Sequence, residues 1–289
     1  MDRKIKYLLF IYLTMLIVNI ADAQQSSSSS SGTSSSQAAS NGKIEPAALA
    51  NSMLYDHNGD GRIVVLAFGD SLTRGTGDFV SPNEEVYEIE QLDSEAGYPL
   101  RMEQTLGISV LNRGKPGERL LSGGLKRYIS TVLSERPDVI LIMEGANDAM
   151  DQENANDYMR ALQTAINVAI DIQAEPILLT LTPAIGYHEG LAPFINAYND
   201  KIRALGVYNG IAISDIYQAF VNTCAGIPDC GLINRPEGLH PNVEGYNVIG
   251  EMANAAVLKV DILTTEGRTM YEQALYLLPG SIETVPGLR

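Results

Sequence analysis

Ser71, His240 and Glu237 are a hydroxyl, an imidazole and a carboxylate, the three groups that a serine-based acyl transfer needs. Ser71 stands midway in the stretch VVLAFGDSLTRGTGD, residues 64–78, just after an apolar run. A serine on a strand-to-loop turn can act as a nucleophile, but its hydroxyl is weak without an adjacent base. The G-x-S-x-G elbow has glycine at +2, where this chain has Thr73. The alternative is that Ser71 only caps the next helix. His240 is the candidate base. It precedes Pro241 at the mouth of the last helical segment, with Glu237 three residues earlier. In a turn-like segment that spacing lets a carboxylate reach the imidazole of its own loop and hold its tautomer. His57 and His188 have no such companion in sequence. Tetrahedral intermediates also need N–H donors. Gly117 offers a backbone N–H, Asn147 a side-chain N–H, and Ser71 its own N–H. The plainer readings are that Gly117 permits a turn and Asn147 caps a helix.

Five short apolar runs must position these groups: residues 63–68, 108–111, 139–143, 177–181 and 211–214. Helical patterns lie between and after them, over residues 121–135, 154–174, 193–205 and 243–260. Alternating strands and helices predict an α/β layer fold with a parallel sheet. Such sheets keep their working loops at the carboxyl ends of the strands. The polar, glycine-rich segments GDS, NRGKPGER, EGAND, TPAIGYHEG and PEGLHPN fall at or near those ends.

Four blocks in order, FGDSLT at 68–73, NRGKPGE at 112–118, GAND at 145–148 and EGLHPN at 237–242, resemble those of the GDSL, or SGNH, hydrolases. The resemblance runs from about residue 63 to 260. It implies a flavodoxin-like, three-layer α/β/α fold and ester hydrolysis with no cofactor. It also implies a nucleophile at Ser71, oxyanion donors at Gly117 and Asn147, and a base at His240. In that family the serine follows Gly-Asp and needs no glycine at +2. One departure is Glu237, where the family usually has Asp. Its carboxylate is one methylene longer and must fold back to reach the same nitrogen; another carboxylate, such as Asp229, is the rival for that role.

The flanking segments bear on location. Arg3, Lys4 and Lys6, the apolar run at 7–20 and Ala21-Asp22-Ala23 read as a secretory signal peptide over residues 1–23. No cysteine stands at the cleavage position to take a lipid. Residues 24–43 are nearly all Ser, Gln, Gly and Ala and read as a flexible linker. A hydrolase domain over 44–262 and a tail over 263–289 follow. The expected location is periplasmic or secreted, without stable membrane insertion after cleavage. The formal charge of −15 argues against binding nucleic acid or anionic membranes. Cys224 and Cys230 are the only cysteines, six residues apart, and should pair in an oxidising compartment.

Two further segments carry expectations. Asp56, Asn58 and Asp60 with Gly61 match the opening of a calcium loop, but its twelfth position is Ala67, where a bidentate glutamate is required. An Asx-rich turn is the plainer reading. Residues 79–98 form an acidic insertion that either overhangs the site or runs over the surface. The expected protein is therefore an exported serine esterase acting on a small ester, a lipid or an acetylated sugar. The alternatives are a carbohydrate O-acetylesterase or acyltransferase using the same site, and a non-catalytic binding domain of the same fold.

Overall fold

The computed structural model describes residues 52–89, 96–224, 226–227 and 230–276. The signal and linker segments, Asp229 and the end of the tail lie outside them. The central sheet opens with β1 (Val65–Gly69), then β3 (Val110–Gly114), β4 (Val139–Met143), β5 (Glu175–Leu179) and β6 (Ala212–Ser214). All pair in parallel, in the order β3-β1-β4-β5-β6. This is the flavodoxin-like order, whose direction of winding reverses between β1 and β4. Every residue of β1 and β4 is buried, as expected for parallel strands covered on both faces.

Helices cover the sheet in two groups. On one side, α2 (Gly97–Leu106) and α7 (Ile216–Thr223) pack against α8 (Val243–Val257). On the other, α3 (Leu125–Glu135) and α6 (Ala192–Asn209) pack against α5 (Ala155–Asp171). In α5, Tyr158, Ala161, Leu162, Ala165, Ile166 and Ala169 are buried, the stripe of a helix with one face in the core. Asn154 starts it by accepting the Asn156 N–H at 2.9 Å. The remaining short helices are α1 (Ser71–Arg74), α4 (Ala146–Met150) and α9 (Thr265–Tyr276). Among the described residues no helix is long and apolar enough to cross a membrane.

Several details depart from the sequence expectations, among them β5, which runs over Glu175–Leu179 where the apolar run is 177–181. Helix α3 begins at Leu125, not 121, because the Asp148 carboxylate takes the N–H groups of Leu120 and Leu121 at 2.8 and 2.9 Å. Residues 120–124 then turn irregularly through Gly123, at φ +101°. Strand β3 lies about two residues further on than its apolar run, set by pairing Gly69 with Gly114. The 79–98 insertion contains β2 (Glu85–Val86), which pairs with β7 (Arg235–Pro236). The insertion is rooted by Asp78, buried against Arg101 in a two-pronged ion pair of 2.6 and 2.7 Å.

Cys224 and Cys230 form a disulfide. The Asp56 segment is a turn closed by its own backbone. One Asp56 carboxylate oxygen accepts from Gly59 and Asp60 at 2.6 and 3.1 Å, and the other from Gly61 at 2.8 Å. The Gly61 N–H, with those of Gly59 and Asp60, holds this carboxyl below the usual range. Asn58 spends its amide on the Arg136 carbonyl, and Ala67 is buried in β1. This donor set does not fit calcium, and among the described residues no three or more His, Cys, Asp or Glu side chains gather so as to hold a metal ion.

Candidate active site

Ser71 sits where β1 stops. Gly69 makes the turn possible: a Cβ there would lie 2.0 Å from the Met143 carbonyl oxygen and 2.2 Å from Thr73 Oγ1. The chain therefore passes against the end of β4 with no room for a side chain. Asp70 caps α1 by accepting from Leu72 at 2.9 Å, and its other oxygen accepts from Ala146 at 3.2 Å. One fully buried carboxylate thus joins the loops after β1 and β4. Burial pushes its carboxyl up to about 6, against the pull of these N–H groups and of His240. Thr73, in the place of the missing glycine, turns its hydroxyl inward to donate to the Met143 carbonyl at 3.2 Å.

His240 reaches this point from the other end of the chain. Its Nε2 lies 2.9 Å from Ser71 Oγ and its Nδ1 lies 2.8 Å from Glu237 Oε1. A carboxylate only accepts, so Nδ1 carries the ring proton and Nε2 faces the serine as an acceptor. The other Glu237 oxygen accepts from the backbone N–H groups of Leu239 and His240, both at 2.9 Å. Burial pushes the Glu237 carboxyl up, but the His240 ring and these N–H groups outweigh it, and the net displacement is downward. The longer side chain folds back as its extra methylene requires.

The segment 234–241 is held rigidly. Asn234 accepts from Gly238 at 2.7 Å through its carbonyl and donates to the His240 carbonyl at 2.9 Å. The Asn234 amide reaches the Gly77 and Pro241 carbonyls. Gly238 has φ +89°, and a Cβ there would lie 1.9 Å from the Ile185 carbonyl. Asn242 then caps α8 by accepting from Glu244 and Gly245 at 3.1 Å.

The three N–H candidates face the same strand ends. Ser71 is the first residue of α1, so its N–H has no acceptor within the helix. Gly117 has φ +73°, and among the described residues other than its chain neighbours no atom lies within 4 Å of where its Cβ would stand. Backbone conformation requires glycine here, and the space beyond it is open. Asn147 donates one amide hydrogen to the Glu118 carbonyl at 3.0 Å. That bond ties Asn147 to the Gly117 loop and leaves its second amide hydrogen unspent. Glu118 is in turn held by Arg127, whose guanidinium lies 3.9 Å over the Phe68 ring and also donates to the Gly69 carbonyl.

Sequence reasoning passed over the acidic groups beneath these loops. Asp70 and Asp148 lie inside the blocks already singled out, and both organise backbone N–H groups. Glu144, the last residue before Gly145, is buried with neither carboxylate oxygen bonded among the described residues, and burial followed by the charges of Asp70 and Glu118 pushes its carboxyl well up. On the surface, Tyr87 and Tyr187 are both well exposed, with ring centres 6.4 Å apart.

Residues 67–248 match the model of the GDSL-like lipase/acylhydrolase family. The chain is 24% identical over 218 residues to the uncharacterized lipoprotein YqeF of Bacillus subtilis (strain 168), covering 65% of this chain and 86% of that one. The lipase/acylhydrolase from Enterococcus faecalis superposes with a TM-score of 0.55 at 23% identity, over 68% of this chain and 96% of that one. The acetylxylan esterase Axe2 from Geobacillus stearothermophilus gives 0.55 at 19% identity, over 70% and 96%. At these identities the two structures share a fold with this chain.

Proposed function

Because the chain belongs to the GDSL-like lipase/acylhydrolase family, we propose that it is an exported esterase in which Ser71, His240 and Glu237 hydrolyse carboxylic esters. The observation that supports this most directly is the unbroken run from Glu237 through His240 to Ser71 Oγ, at 2.8 and 2.9 Å. Ser71 Oγ attacks the ester carbonyl carbon while its proton passes to His240 Nε2. Glu237 stabilises the imidazolium that forms. The negative charge on the former carbonyl oxygen is met by the N–H groups of Ser71 and Gly117 and by the spare Asn147 amide hydrogen. Collapse breaks the bond to the alcohol, which leaves with the proton from Nε2. Water, deprotonated by the same nitrogen, then releases the acid and restores Ser71.

Export rests on the signal-like residues 1–23 and agrees with the disulfide and with the name of the Bacillus relative. One observation favours acetylated sugars as substrates. The exposed Tyr87 and Tyr187 sit on segments bonded to the Glu237 loop: Val86 accepts the Glu237 N–H, and His188 meets its carbonyl. Paired exposed aromatic faces in an acidic surface suit a neutral ring.

The test is a panel of p-nitrophenyl acetate, longer p-nitrophenyl esters and acetylated xylan. Release of p-nitrophenol from the acetate is expected, and acetate release from xylan if the sugar reading holds. No turnover of any ester by folded protein would refute the proposal. Within that assay, Asn147→Ala should lower kcat by about 10²–10³, the usual loss for one oxyanion donor, with KM moving less. A raised KM at unchanged kcat would instead make Asn147 a ground-state binding residue.

A further inference from the structure

His188 lies on the short 3-10 turn Gly186–Leu191 that follows β5. It is 49 residues from Glu237 in sequence, yet its Nδ1 stands 2.7 Å from the Glu237 carbonyl oxygen. A carbonyl only accepts, so Nδ1 carries the proton in this contact. The same nitrogen is 3.7 Å from Glu237 Oε1, the oxygen that receives the His240 Nδ1–H. Glu237 Oε1 therefore lies between two imidazole N–H groups, one bonded to it and one just beyond bonding distance.

The turn is built to hold this contact. Ile185 donates to the Gly238 carbonyl at 2.8 Å, and the His188 N–H donates back to the Ile185 carbonyl at 2.8 Å. Gly186 has φ +50°, and a Cβ on it would stand 2.4 Å from the Pro236 carbonyl oxygen. With Gly238 as tightly placed on the other side, the two loops meet backbone to backbone. Both polar groups of the Glu237 peptide unit are thereby fixed from outside its own loop. Val86 takes its N–H at 3.0 Å and His188 takes its C=O at 2.7 Å.

We propose that His188 is a positioning residue for the reaction: its Nδ1–H clamps the Glu237 carbonyl so that the folded-back glutamate presents Oε1 to His240. This rests on the esterase reading of Ser71, His240 and Glu237. A glutamate has one more rotatable bond than an aspartate, and so more ways to miss the imidazole. Fixing its backbone at both ends removes part of that freedom. His188 does not touch the reacting atoms; it acts through Glu237.

Three variants and a spectrum test this. His188→Ala should lower kcat by up to about 100-fold, the scale of a sub-ångström to 1 Å misplacement of a catalytic group, with KM little changed. His188→Asn should restore most of the loss, because asparagine Nδ2 occupies the place of the histidine Nδ1 and donates likewise. In a Glu237→Gln background, adding His188→Ala should cost less than about twofold, since the two act as a unit. Wild-type kcat in His188→Ala, no rescue by asparagine, or full additivity with Glu237→Gln would each overturn the proposal. Melting temperatures of the variants separate a lost fold from a misplaced acid. The spectrum needs no substrate: in ¹⁵N-histidine-labelled wild type, the neutral His188 ring should carry its proton on Nδ1. An Nε2–H tautomer would refute the clamp whatever the activity. Protein with the expected tautomer but no hydrolysis of any ester would instead count against the esterase reading and leave the clamp standing.

Discussion

Ser71→Ala should lower kcat on p-nitrophenyl acetate by about 10⁶, the loss that follows removal of the nucleophile from a serine triad. The reason is chemical and local. Among the described residues the Ser71 hydroxyl is the nucleophile bonded to His240 Nε2, at 2.9 Å. The Ser71 backbone N–H is untouched by the change, so the proposed oxyanion donors remain. The fold should also survive. Among the described residues Ser71 makes one side-chain hydrogen bond, and the His240 side chain is 15% exposed, so water can satisfy Nε2 once the hydroxyl is gone. The stability change should stay within the roughly 0.5–1.5 kcal/mol net value of a single hydrogen bond. A serine-directed phosphonate should label the wild type at Ser71 and leave the alanine variant unmarked by mass spectrometry. Activity in Ser71→Ala within tenfold of wild type would remove Ser71 from the mechanism.

What could be read from the sequence follows from how local each cause is. Strand β4 matches its apolar run residue for residue, because VILIM is buried on both faces and charged residues bound it. Helix α5 is legible for the same reason: its stripe and its Asn154 cap are both nearby in the chain. The start of α3 was not legible, since a carboxylate from a distant loop competes for its first N–H groups. Nor was the pairing of β2 with β7, two residues long and joined across 150 positions of chain. Ser71, His240 and Glu237 stand together in the fold, each on a motif that ends a strand or precedes a helix. His188 had no companion in sequence; its partner comes from another loop, through a contact between glycines that no periodicity reveals. The opening calcium-like pattern failed at its far end, where a ligand position falls inside a buried strand.

Glu237→Gln should reduce kcat by as much as about 10⁴, the cost of losing the acid of a triad. The geometry explains why an amide cannot substitute. The Glu237 carboxylate accepts three N–H groups: Leu239 and His240 backbone on Oε2, and His240 Nδ1 on Oε1. A glutamine has one accepting end. If its NH₂ faces the backbone pair, donors meet donors and the loop loosens. If its NH₂ faces Nδ1, the ring must give up that proton, and an Nε2–H cannot take the proton of Ser71. Glu237→Asp should do far better, within about tenfold of wild type, the effect of roughly 1.4 kcal/mol on the barrier. A carboxylate accepting from residues two and three further on is an ordinary Asx-type turn, so the shorter acid retains its backbone bonds. Stability should follow with a defined sign. The Glu237 carboxyl is held below its usual range in the folded state, so its stabilising contribution is present above the unfolded glutamate value and lost as pH falls through the folded one. The difference in melting temperature between wild type and Glu237→Gln should therefore be largest near neutrality and shrink as pH falls below the unfolded glutamate value of about 4.3. A glutamine variant with wild-type kcat, and a melting difference that does not depend on pH, would show that another carboxylate orients His240.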